Sequence, residues 1–116
     1  MDVVTLPVIN SIYDLYKLVV DMDAHALKRW RYSLCMSLEK SILECLEESI
    51  MAKNAPKPMK AAHLIKASAY LETAVLKLRL LLELSAANET RIFQAQAKAA
   101  EIGKQLGGWL RSMYTA

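Results

Sequence analysis

Glycine and proline are scarce in this chain, three of each in 116 residues. A sandwich or barrel of short strands needs frequent turn residues, so this scarcity excludes an all-β fold. Cysteine is limited to Cys35 and Cys45. They lie in one continuous helical pattern roughly 15 Å apart along the axis, whereas a disulfide needs Cα atoms within about 7 Å. Both are expected to be small core or interface residues of a reduced protein. Long apolar runs are also missing, and Met1-Asp2 opens without the basic flank and apolar stretch of a signal peptide. The expectation is a soluble, cytoplasmic protein with no membrane partner. The two histidines, His25 and His63, lack zincin spacing, and no Glu-x-x-His pair is present to build a di-iron site. No glycine-rich phosphate loop occurs. Glu44, Glu47 and Glu48 turn away from Leu38 and Cys45 on a helical wheel and read as a solvated face. The sequence therefore offers no catalytic residue, no metal site and no cofactor site, and an enzyme is not expected.

What is present is helical pattern. Hydrophobic residues make up 54% of the chain and charged residues 23%, enough apolar surface to offset chain entropy. The length suits a single domain, taken as 1–116. Breaks are expected at Asp21-Met22-Asp23-Ala24, where the acids could cap a new helix, at Asn54-Ala55-Pro56-Lys57-Pro58, and at Ser85-Ala86-Ala87-Asn88. They predict helices at about 8–22, 26–53, 58–86 and 88–113. Connections this short make consecutive helices antiparallel, giving an all-α, up-down-up-down four-helix bundle.

Spacings of three and four assign core faces to Leu34, Leu38, Cys45 and Ser49, to Leu64, Leu71, Val75, Leu78 and Leu82, and to Ile92, Ala99, Ile102, Leu106, Leu110 and Met113. Trp109, within about 20° of Ile102 on the wheel, is expected to pack with them. Ala95, Ala99, Gly103 and Gly107 form a ridge of small residues that would admit a close helix approach. A second apolar set points outward. Ala69, Leu76 and Leu80 on the third helix, and Phe93, Ala97 and Ala100 on the fourth, have no core to enter within one bundle. An oligomer interface at Leu76, Leu80, Phe93, Ala97 and Ala100 is the expected consequence.

Formal charge is +3 overall, but it is polarised. Residues 1–26 carry −3, 27–52 carry zero, 53–87 carry +4 and 88–116 carry +2. Lys53, Lys57 and Lys60 gather at the second break, and Lys66, Tyr70 and Lys77 continue along one stripe of the third helix. Lys28, Arg29 and Arg31 interleave with Trp30 and Tyr32, a mixture that can hold phosphates and stack on bases. Arg79 lies near Glu72 and Glu83 and reads as an intrahelical ion pair. The eight cations Lys28, Arg29, Arg31, Lys53, Lys57, Lys60, Lys66 and Lys77 are thus candidates for polyanion binding. A solvated face explains the same pattern.

Several segments together carry a resemblance. They are Leu6-Pro7-Val8-Ile9-Asn10 with Ile12-Tyr13-Asp14-Leu15-Tyr16, Arg31-Tyr32-Ser33-Leu34, Leu78-Arg79-Leu80-Leu81-Leu82-Glu83-Leu84, and Glu101-Ile102-Gly103-Lys104-Gln105-Leu106-Gly107-Gly108-Trp109-Leu110. Over nearly its whole length the chain resembles the four-helix-bundle family of the accessory variability determinants (Avd) of diversity-generating retroelements and the proteins encoded by intervening sequences in bacterial rRNA genes. The resemblance implies a homopentameric barrel with a positively charged surface. In the Avd branch it also implies a non-enzymatic accessory that binds the reverse transcriptase and template RNA or an RNA/DNA hybrid, supporting mutagenic cDNA synthesis. The other branch implies a structural or interaction bundle. Light scattering at micromolar concentration is expected to return a multiple of 13.0 kDa, fivefold if the pentamer holds. A mass of one chain would remove the oligomer expectation.

Overall fold

The computed structural model describes residues 6–114, so the two ends of the expected 1–116 domain, residues 1–5 and 115–116, lie outside the described residues. Helix α1 spans Pro7–Ala24, opening with proline at a position where its missing N–H costs nothing. A turn Lys28–Trp30, a π-helical segment Arg31–Cys35 and a long α-helix Met36–Asn54 follow, with helical backbone angles at both joints, and together form α2. Helix α3 is Lys57–Glu83 and α4 is Glu89–Ser112. Among the described residues there is no strand, and no helix is long and apolar enough to cross a membrane.

The boundaries have local causes, and two differ from the sequence expectation. Asp21-Met22-Asp23 does not break the chain. These residues continue α1, with Met22 and Asp23 buried, and the true link is His25 to Leu27. Leu27, not an acid, precedes the next turn, and no side chain caps it. At the second break Ala55 is extended (ψ 154°), as a residue before proline prefers, and Pro56 precedes α3. Helix α3 stops at Glu83 rather than 86 because Ser85 adopts a left-handed φ of 51°. The Ser85 N–H then bonds the Leu82 carbonyl at 3.0 Å and the Ala86 N–H bonds that of Leu81 at 2.9 Å, a Schellman closure of the helix end. Asn88 caps α4 as expected, its side chain accepting from the Arg91 N–H at 3.0 Å.

Around a shared core, α1 packs against α2 and α4, and α3 packs against α2 and α4. Ile12, Leu15, Val19, Leu38, Ile42, Cys45, Leu64, Leu78, Ile92, Ile102 and Leu106 are fully buried there. Leu34, Leu82, Trp109, Leu110 and Met113 are partly buried against that cluster. Val75, expected in the core, is instead exposed, because the inward positions of α3 run Leu64, Ala67, Leu71, Ala74, Leu78, Leu81. As α3 advances from Lys60 through His63 to Lys77, its polar partners on α2 retreat from Lys53 through Glu48 to Ser37. The start of α4 meets the end of α1 through an Arg91–Asp21 ion pair. The Leu27 N–H bonds the Ala86 carbonyl at 2.8 Å, joining two of the links.

The small-residue ridge divides in two. Ala95 and Ala99 are buried, but Gly103 is exposed beside a groove walled by Leu71, Val75 and Leu76 of α3 and by Ala99 and Ala100 of α4. A Cβ at Gly103 would meet Leu71 Cδ2 at 3.7 Å, an ordinary contact, so the chain's own packing does not require glycine there. At Gly107 the neighbour is the flexible Arg111 guanidinium, 3.4 Å away. The close helix approach expected at Gly103 is therefore not built into the single bundle. Gly103→Ala is expected to raise stability by about 0.5–1 kcal/mol in chemical denaturation, through the helical preference of alanine. A loss of more than that amount would show a close approach at this position.

Candidate nucleic-acid interface

Eight cations were candidates from the sequence, and the fold separates them by what their charged ends touch. Lys28 and Arg29 are exposed on the opening turn of α2, and the Arg29 guanidinium lies 5.1 Å from the Trp30 ring centroid. Trp30 is partly buried against the core, so it holds Arg29 from below. Tyr32 beside them is 78% exposed, a free ring on an ordered helical segment. Arg31 differs from its neighbours. Its Nε donates to the Ala26 carbonyl at 2.8 Å, which ties the link back onto α2.

At the second break the three lysines also divide. Lys57 is exposed and Lys53 is half-buried. Lys60 Nζ donates to the carbonyls of Ala52 (2.8 Å) and Lys53 (2.9 Å). These belong to the last turn of α2, where a cation offsets both unsatisfied carbonyls and the negative end of the helix dipole. Lys66 is exposed on α3. Lys77 turns across to α2, donating to the Ser37 carbonyl at 3.1 Å and to Ser41 Oγ at 2.7 Å, and so satisfies the buried Ser41 hydroxyl. Lys60 and Lys77 therefore leave the expected exposed stripe, and Arg31 leaves the aromatic-basic cluster.

The stripe is also not free of acids. Glu48 and Glu44 of α2 are half-buried rather than solvated, and Glu48 Oε1 lies 2.8 Å from His63 Nδ1 on α3. Tyr70 is partly buried, and Glu44 beside its hydroxyl raises its pKa, with smaller contributions in the same direction from desolvation, Glu48 and Glu47. Carboxylates from α2 thus line the face that α3 alone presents as basic. The two remaining cationic groups, at 28–29 and near 57, sit at opposite ends of α2, roughly 40 Å apart by helical rise.

Other cations fall into clear classes. Lys17–Asp14, Arg79–Glu83, Lys98–Glu101 and Arg91–Asp21 are ion pairs, Arg79 as expected. Lys40, Lys104 and Arg111 are exposed and make no ion pair among the described residues. The sequence pattern does not single them out, because no other cation lies close to any of them along the chain. Cys35 and Cys45 are buried and unbridged. Burial pushes both thiols up to about 12, so neither is a nucleophile at neutral pH. Among the described residues no group of three His, Cys, Asp or Glu is arranged to hold a metal ion.

The fold and these surfaces define an all-α four-helix protein with an apolar groove between α3 and α4 and scattered unpaired cations. A family model described as bAvd-like matches residues 8–113, and the chain belongs to that family. No curated protein matches it.

Lys60 is expected to act on stability more than on surface charge. Lys60→Met should cost about 1–2 kcal/mol by leaving carbonyls of the α2 terminus without their charged donor. Lys57→Met should cost less than about 0.5 kcal/mol. Urea denaturation of the two variants checks the difference, and equal values would show that the Lys60 contacts contribute nothing.

Proposed function

We propose that this protein is a non-enzymatic accessory of a diversity-generating retroelement, which binds the reverse transcriptase and template RNA or an RNA/DNA hybrid during mutagenic cDNA synthesis. The observation that carries this reading is the bAvd-like match across residues 8–113. The side-chain pairings between α2 and α3 and between α1 and α4 support an up-down-up-down, antiparallel order. Assembly as a homopentameric barrel in the cytoplasm completes the reading. Its support in this chain is the apolar surface on adjoining helices: Leu76 is 61% exposed, Phe93 48% and Leu80 42%, with Ala97 and Ala100 exposed beside them. A monomer would keep that surface in water at a cost of about 25 cal/mol per Å².

Nucleic acid would be held by the cations that the fold leaves unpaired. Lys28 and Arg29 supply phosphate contacts, and Tyr32 supplies a ring on which a base can stack. Lys57 and Lys66 extend the phosphate contacts along α3, with Lys53 partly available behind them. Arg31, Lys60 and Lys77 act as supports that keep these segments in place. Each subunit offers few contacts, so affinity depends on several subunits engaging one strand. Phosphate contacts are non-specific and salt-dependent.

A salt titration of binding to a structured RNA tests this. Wild type is expected to bind at low salt, with affinity falling steeply as salt rises. Lys28→Glu/Arg29→Glu is expected to reduce affinity at least tenfold and flatten the salt slope, without changing the oligomer mass. Lys57→Glu/Lys66→Glu should act in the same direction. Absence of binding by wild type at low salt would favour a structural bundle of the rRNA intervening-sequence type.

A further inference from the structure

Asp23 is the one buried carboxyl of α1, 5% exposed and in the last turn of the helix, where the carbonyl ends disfavour a negative charge. No N–H or O–H of the described residues bonds to either of its oxygens. The groups that face it come from α2: the carboxyl of Glu39 and the weak S–H donor of Cys35, which closes the π-helical segment. The nearby cations are engaged elsewhere. Arg31 donates to the Ala26 carbonyl, and Arg91 of α4 pairs with Asp21 on the outer side of α1. His25, the next titratable residue along the chain, is exposed and bonds the Asp21 carbonyl.

A buried carboxyl that has no hydrogen-bond donor and faces a second, half-buried carboxyl cannot ionise cheaply. A single proton resolves the conflict, since protonated Asp23 can donate to Glu39. We infer that Asp23, Glu39 and Cys35 form a buried proton-holding cluster that fastens α1 to the π-helical start of α2, and that loss of its proton releases residues 25–35. The π segment fits that role. Its wider turn departs from the regular α-helical ladder, and such segments are found frequently at functional sites. Burial, and next the Glu39 carboxyl beside it, raise the Asp23 carboxyl to about 8.

The sign follows from linkage. In the open form Asp23 has an ordinary pKa of about 3.9, so above that value opening releases a proton and becomes more favourable as pH rises. The trend stops once the closed form also ionises, near pH 8. Hydrogen exchange, with intrinsic rates divided out and closing faster than exchange, reads this directly. In wild type, protection of the amides of 28–35 should fall about tenfold per pH unit between pH 6 and 8 and then level off. Asp23→Asn keeps the shape and a donor toward Glu39, and should make protection independent of pH over the same range. Carbon-13 carboxyl titration of Asp23 in the wild-type protein gives a second reading that needs no variant. A midpoint below pH 6, or wild-type protection that does not change between pH 6 and 8, would overturn the inference. Neither measurement involves RNA or polymerase, so the outcome is separate from that of the binding reading.

Discussion

A helix in a ring of four can turn only one stripe, roughly 100° wide, toward the shared core. Everything else in this protein is arranged around that limit. In α3 the stripe is filled by Leu64, Ala67, Leu71, Ala74, Leu78 and Leu81, and in α4 by Ile92, Ala95, Ala99, Ile102 and Leu106. Both helices have more apolar residues than the stripe can take. Leu76, Leu80 and Phe93 are therefore left outside, although burial of such a side chain contributes about 1.5–3 kcal/mol. Between them the exposed Gly103 leaves open a groove that any larger residue would begin to fill. The core and the outer apolar surface are two outcomes of one geometric restriction.

Polar side chains settle how the packed helices register against one another. Lys60 fastens the end of α2 to the start of α3, the His63–Glu48 pair joins their middle, and Lys77 reaches Ser37 and Ser41 near the other end. A lysine can do this because its long apolar stem crosses the helix surface while its ammonium reaches a distant carbonyl. The cations used in this way are lost to any polyanion. Lys28, Arg29, Lys57 and Lys66 remain in water, where their interaction with phosphate is screened by salt and becomes strong only by repetition.

At the junction of α1 and α2 the constraints are concentrated. The Ala26 carbonyl accepts from Arg31, the Leu27 N–H donates to Ala86, and Asp23 faces Glu39 and Cys35. A link of three residues, 25–27, is thereby held from α2 and from the turn between α3 and α4. The same junction presents Lys28, Arg29 and Tyr32 at the surface, so the candidate interface adjoins the buried Asp23 carboxyl.

The helical class, the four segments and most inward positions are written in local spacing, because a repeat of three and four residues carries the core face of a helix wherever that helix packs. The proline break at Ala55-Pro56 and the Asn88 cap are equally local, since each acts on backbone within a few residues. The outward set Leu76, Leu80 and Phe93 was legible for the same reason. The ends of α1 and α3 were not. Asp23 reads as a cap until α2 buries it, and Ser85 takes a left-handed conformation that glycine more often supplies. The free or engaged state of each lysine also escapes the sequence: Lys66 and Lys77 look alike on one helix and differ only through what α2 places opposite them. Spacing along a chain determines which face a side chain occupies. Only tertiary packing decides which carbonyl, carboxylate or water it meets there, because those partners come from helices distant in sequence.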